Sequence, residues 1–238
     1  MIQGRILFIT GTDTDVGKTV VSLLVMHLLA GRDAVYLKPV QTGCLHPDHD
    51  SDAAFVHRHL PAGLPRGMKP GDCIHSCRLL PKAPLFAGDA VDFAALEGFI
   101  TGHAKRRKIV VVEGAGGILV PVTAERTMLD LACAVRASIL VVGRAGLGTI
   151  NHTLLTLEAI KARKAECLGV ILTDPASATA ELDRRENSAA IESYSGLPVH
   201  GVIGQIRDLR NPPRKALSVV ECVLSPLLSR PVLDHNHS

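Results

Sequence analysis

The sequence predicts a three-layer α/β fold, with a mainly parallel central sheet flanked by helices, and three observations carry that prediction. Short apolar stretches recur at residues 5–9, 34–37, 109–112, 138–142 and 168–172, the last three of a β-branched character that suits strands buried on both faces. Stretches of helical composition fall between or beside them. The core must rely on Ile, Leu, Val and Ala, because a chain that is 47% hydrophobic holds 3% aromatic residues and no Trp.

In chain order, the strand at 5–9 is followed at once by turn residues and by a helix over 18–30. The strand at 34–37 ends before Pro39, since the residue ahead of a proline is held in extended backbone. Residues 52–59 open a short helix, whereas 61–90 carry repeated Pro and Gly that oppose long regular elements. The helix over 93–104 runs into Lys105, Arg106, Arg107 and Lys108, most simply a solvated helix end where cations are favoured. Helices over 150–162, 181–194 and 215–228 accompany the later strands. Right-handed crossovers then set the functional loops beyond the strand C-termini. Length and composition suit one domain over residues 1–230, with a flexible tail at 231–238.

Charge and cysteine usage narrow the function. Lys plus Arg number 26 and Asp plus Glu 23, a net charge of +3 that gives nucleic-acid binding little support. His27, His46, His49, His57, His59 and His75 fall in no zinc-ligand spacing, and Cys73 and Cys77 lack a second pair. No apolar run approaches the roughly 20 residues that span a bilayer, and no charged leader precedes one, so no membrane partner is expected and the cytoplasm is the simplest location. The six dispersed cysteines suit reduced thiols rather than a disulfide framework.

The strongest local signal is Gly11-Thr12-Asp13-Thr14-Asp15-Val16-Gly17-Lys18-Thr19, between the first strand and the first helix. It has the Gly-Lys-Thr end of a phosphate-binding P-loop, although Thr12 stands where the usual pattern opens on glycine. Backbone amides from about Thr14 to Thr19 can face an anion at the positive helix end, with Lys18 reaching terminal phosphates and Thr19 offering an oxygen to Mg²⁺. Mg²⁺ needs further oxygens, for which Asp52 and Glu113 are the candidates. Glu113 is expected just past the strand at 109–112, with Gly114-Ala115-Gly116-Gly117 turning the chain around it. Asp52 reads equally well as part of a helix-capping cluster with Asp50 and Ser51. After the second strand, Lys38-Pro39-Val40-Gln41-Thr42-Gly43 forms a loop that brings Lys38 toward phosphate and Thr42 toward a polar substrate, or else a solvated connection.

The segments GTDTDVGKT at 11–19, KPVQTG at 38–43, SDA at 51–53, VVEGAGG at 111–117 and GLGTINHTLLTLEAI at 146–160 together resemble dethiobiotin synthetase, in an order that extends over approximately residues 4–204. The resemblance implies an ATP-dependent, Mg²⁺-dependent enzyme of biotin biosynthesis that acts as a homodimer on 7,8-diaminononanoate and CO₂. It implies Lys18, Lys38 and Asp15 as catalytic residues, and Thr14, Asp15, Val16, Gly17, Lys18, Thr19, Glu113, Gly116 and Thr173 around the nucleotide. Thr19, Asp52 and Glu113 would organise Mg²⁺, Thr42 would contact the carbamate, and Gly148, Thr149, Ile150 and Asn151 of the other subunit would approach the substrate's distant carboxylate. Two departures stand out. Thr173 precedes Asp174 where the family often has Asn, which puts strict adenine selection in doubt because a hydroxyl cannot supply an amide's paired donor and acceptor. Leu85 stands where many relatives carry His. Competing readings are a corrin-pathway amidoligase, which needs nitrogen delivery that no glutaminase cysteine motif supplies here, and a partitioning ATPase, whose loops commonly carry lysine where this chain has Asp13.

Overall fold

A computed structural model describes residues 4–65 and 67–229; the expected tail at 231–238 lies outside them. Six parallel strands form the central sheet in the order β2-β5-β1-β6-β7-β8. They are β1 (Arg5–Gly11), β2 (Ala34–Leu37), β5 (Ile109–Gly117), β6 (Ser138–Arg144), β7 (Cys167–Asp174) and β8 (Val199–Gly204). A small second sheet pairs β3 (Val40–Thr42) with β4 (Ser76–Arg78). The helices are α1 (Lys18–Leu28), α2 (Asp52–His59), α3 (Phe93–Ala104), α4 (Met128–Ala134), α5 (Thr149–Ala162), α6 (Glu181–Ser195) and α7 (Arg214–Ser229). Helix α1 packs against α2 and α7, α5 against α6 and α3 against α4, giving three layers around the sheet. The centre of β1 and β5 is fully buried, from Leu7 to Ile9 and from Val110 to Val112, so apolar residues on both strand faces are removed from water.

Several boundaries differ from those the sequence suggests, each for a physical reason. Strand β5 does not end before Glu113: it carries that residue inside the strand and runs on through the glycines to Gly117, which pairs with Gly11 after a register shift. The stretch 61–90 is not wholly irregular, because Ser76–Arg78 finds a partner in Val40–Thr42, itself expected to be loop. Helix α4 was hidden by its brevity, although Thr127 and Asp130 close a reciprocal capping box around its start. Strand β8 was hidden because it is an edge strand with a largely half-buried face rather than an apolar run. Among the described residues no helix is long and apolar enough to cross a membrane.

The C-terminal end of β7 is tied down by Asp174. Its carboxylate accepts from the Ala178 and Thr179 amides and from Arg184 Nε and Nη2, the last at 2.6 Å. Burial opposes ionisation, but the Thr179 amide and the Arg184 guanidinium outweigh it and hold the carboxyl below its ordinary value. Because the folded pKa is the depressed one, this stabilisation is present above the unfolded value of about 3.9 and is lost as pH falls through the folded value. The stability gap between wild type and Asp174→Asn, measured by urea unfolding, should therefore be constant around neutrality and shrink below about pH 4; a gap that stays constant down to acid pH would contradict this.

Candidate functional site

The connection from β1 to α1 curls into a cup. Asp15 and Gly17 both have left-handed backbone, at φ 52° and φ 88°, on either side of Val16. Alternation of this kind turns successive amides toward one side and makes an anion-binding concavity at the start of α1. Gly17 is needed there on two counts, since its φ disfavours any side chain and a Cβ would sit 3.1 Å from Thr173 Cγ2. Lys18 is nearly buried and folds over the cup, donating to the Asp13 carbonyl at 2.8 Å. Burial, aided by the charge of Lys38, lowers its pKa.

Beside the cup lies a cluster of charge. Pairing of Leu37 with Val112 in β2 and β5 places the next residues, Lys38 and Glu113, side by side where the strands meet the loops. Glu113 is 1% exposed and accepts four hydrogen bonds: from Thr19 Oγ1 and Lys38 Nζ on Oε1, and from Ser22 Oγ and Tyr36 OH on Oε2, all between 2.8 and 3.0 Å. A carboxylate offers about four acceptor sites, so the residue is saturated. Lys38 Nζ also donates to the Gly114 carbonyl at 3.1 Å and meets Asp52 Oδ2 at 2.7 Å, which uses all three of its protons. Burial alone would lower the Lys38 pKa, but Glu113 and Asp52 raise it; burial opposes ionisation of Asp52, and Lys38 overrides that.

Asp52 reaches the cluster from the start of α2, where Ser51 caps the helix by accepting from the Ala54 amide. Gln41 Oε1 accepts from the Asp52 amide at 3.0 Å, tying β3 to the helix start. The expected capping role thus belongs to Ser51, and Asp52 is left to face Lys38. An ammonium bridging two carboxylates marks a place where positive charge is favoured. Thr19, Asp52 and Glu113 carry hard oxygens of the kind Mg²⁺ takes, and Glu113 would reach such an ion only by giving up the Thr19 or Lys38 bond on Oε1.

Comparison with known proteins places this geometry. The family model "AAA domain" matches residues 5–213. An ATP-dependent dethiobiotin synthetase of Anaeromyxobacter sp. (strain Fw109-5) is 41% identical over 211 residues, covering 86% of this chain and 92% of the relative. The chain belongs to the dethiobiotin synthetase family. A further synthetase, from Paramagnetospirillum magneticum, is 37% identical, with 82% and 85% of the two chains covered. Membership makes the chain an enzyme of the ligase class on a P-loop ATPase fold. Among solved structures, the MinC:MinD cell division protein complex of Aquifex aeolicus superposes with a TM-score of 0.61 over 96% of this chain and 97% of that one, at 12% identity, a likeness of fold alone.

Against the synthetase pattern, the structure brings Thr14, Asp15, Gly17, Lys18, Thr19, Lys38, Thr42, Asp52, Glu113 and Gly116 to one cavity of about 560 Å³. Three expected groups are not on its wall. The Val16 side chain is buried in the core. Thr173 is buried too, with its hydroxyl donated to the Val16 carbonyl at 2.8 Å rather than presented to a base. Gly148, Thr149, Ile150 and Asn151 lie at the start of α5 and do not line the cavity, with Thr149 buried against Thr153. Leu85 lines a separate pocket with Val91 and Val122. Burial and the Asp50 carboxylate, which accepts from Cys44 Sγ, push the Cys44 thiol up, the opposite of an activated nucleophile.

Sequence reasoning missed Ser22, Tyr36 and Gln41. One signal was available: a tyrosine inside the otherwise aliphatic strand AVYL needs a buried partner for its hydroxyl. Removing that hydroxyl in Tyr36→Phe should destabilise the protein by about 1–3 kcal/mol, read as a lower urea midpoint at unchanged slope. An unaltered midpoint would show that Glu113 does not depend on this bond.

Proposed function

We propose that this chain is an ATP-dependent cyclo-ligase that converts 7,8-diaminononanoate and CO₂ to dethiobiotin, with release of ADP and phosphate. The observation that carries the reading is the convergence of the phosphate cup, two lysines, Thr42 and an oxygen-rich cluster on one cavity in a member of this family. One unit over residues 1–230, working in the cytoplasm, belongs to the same proposal.

In this reading a neutral amine of the substrate captures CO₂ as a carbamate and releases a proton. A carbamate oxygen then attacks the γ-phosphorus of ATP and expels ADP, giving a carbamic–phosphoric mixed anhydride. The neighbouring amine attacks the activated carbonyl, phosphate leaves, and the ring closes. No protein nucleophile is needed. The cup amides of residues 14–19 hold the phosphates, and Lys18 and Lys38 stabilise the charge on the moving phosphoryl group. For this Lys18 must leave the Asp13 carbonyl it now caps, and Lys38 must give up one of its three present partners, Glu113, Gly114 or Asp52. Thr42, at the end of β3, orients the carbamate, and Asp15, exposed on the cup rim, hydrogen-bonds an amine. Thr19, Asp52 and Glu113 would hold Mg²⁺, whose charge would offset that on the transferred oxygens.

A homodimer is part of the proposal. A groove between the Gly117–Pro121 connection and α5 is lined by the exposed Leu119 and Leu155, and Leu147 projects fully just before the helix. Apolar side chains so placed suit a second copy, which would bring Gly148, Thr149, Ile150 and Asn151 to the partner's cavity.

Incubation with the diamine, bicarbonate, Mg²⁺ and ATP should yield dethiobiotin, identified by mass, with matching phosphate release. Lys18→Ala should lower kcat/KM by about 10²-fold or more, the scale on which removing a charge-stabilising donor acts, while thermal unfolding without ligand shifts little. ATP hydrolysis that ignores the diamine and gives no ring product would rule the synthetase reading out.

A further inference from the structure

We infer that Thr173 is a positioning residue for the phosphate cup, acting on the triphosphate through the Val16–Gly17 peptide and not on the nucleotide base. This deepens the nucleotide-site reading above and rests on it. The residue arrives from β7, where Arg144 of β6 pairs with it and the Ala145 amide bonds its carbonyl at 2.9 Å, so its backbone is fixed by the sheet. Its side chain is the link between that strand and the cup. The hydroxyl donates to the Val16 carbonyl at 2.8 Å, with a weaker approach to the Gly143 carbonyl at 3.5 Å. The methyl lies under Gly17, within 3.1 Å of where a Cβ would stand.

The consequence follows from peptide geometry. In a planar trans peptide the C=O and the N–H point in opposite directions. Anchoring the Val16 carbonyl inward, against β7, therefore turns the Gly17 N–H the other way, toward the cavity that Gly17 lines. Glycine at φ 88° leaves that peptide free to rotate, since little steric resistance opposes a flip. A flipped peptide would aim a carbonyl oxygen at the phosphates and leave the cup with one donor fewer. The Thr173 hydroxyl is what holds the orientation. With that proton spent on the loop, it is not available as a donor to a base, so the contact that sets the cup also takes this hydroxyl out of base recognition.

The test measures binding of ATP, GTP and CTP by calorimetry in the presence of Mg²⁺, for wild type and three variants. Thr173→Val, which keeps the shape and loses the hydroxyl, should weaken all three triphosphates about tenfold and by a common factor. Thr173→Ala should do the same if the valine variant does not fold. Thr173→Ser, which keeps the hydroxyl, should stay within about twofold of wild type. In the ring-closure assay the loss should appear chiefly in KM for the nucleotide, and serine should restore it. Unchanged affinity in both hydroxyl-free variants would overturn the inference, as would a loss confined to one base. Wild-type protein that binds no triphosphate would instead sink the underlying nucleotide reading, and this inference with it.

Discussion

The buried carboxylate of Glu113 is the constraint on which the rest of the site hangs. It sits inside a parallel sheet, where an isolated charge is not tolerated, and it is accommodated because four donors from two elements converge on it: Thr19 and Ser22 from α1, and Tyr36 and Lys38 from β2 and the residue just past its end. Thr19 and Ser22 share a helix face at a spacing of three, and Tyr36 and Lys38 share a strand face at a spacing of two. Local periodicity therefore aims all four side chains at one point. A buried ion pair adds little net stability, but removing one partner is costly, so the arrangement specifies where α1 sits relative to β2 and β5. The group that sets helix against sheet is also one that lines the cavity beside the phosphate loop.

That double duty explains what could be read from the sequence. The phosphate loop was legible because each of its residue types answers a local need: backbone freedom at Gly17, charge at Lys18, a hydroxyl at Thr19. The apolar strands were legible because burial on both faces leaves one composition to choose from. Tyr36, Ser22 and Gln41 were not, because their partners Glu113 and Asp52 are distant in the chain and nothing at their own positions names them. The depth of Glu113 was misjudged for a related reason. The glycines after it read as a turn, but in a sheet where Gly11 faces Gly117 they let two backbones continue side by side. Thr173 was assigned by analogy of position, and its hydroxyl points the other way.

The fold by itself says less. A shared architecture at 12% identity carries no site with it. The groups that face the cavity come from its loops and short elements: the phosphate loop, the Lys38–Thr42 segment, and the glycine-rich end of β5. Two lysines and two carboxylates leave the cluster close to neutral before any phosphate enters. The cup amides and the helix end thus supply the attraction that an incoming polyanion meets first.

The small β3–β4 sheet has an architectural consequence. Val40, Gln41 and Thr42 pair in parallel with Ser76, Cys77 and Arg78, which staples the two ends of the excursion that contains α2. Asp52 is thus carried on a closed lobe, anchored at its base and by the Gln41 side chain, rather than on an open connection. Loosening the β3–β4 pairing would thus be transmitted, through Gln41 and the start of α2, to the Asp52–Lys38 contact at the far side of the lobe.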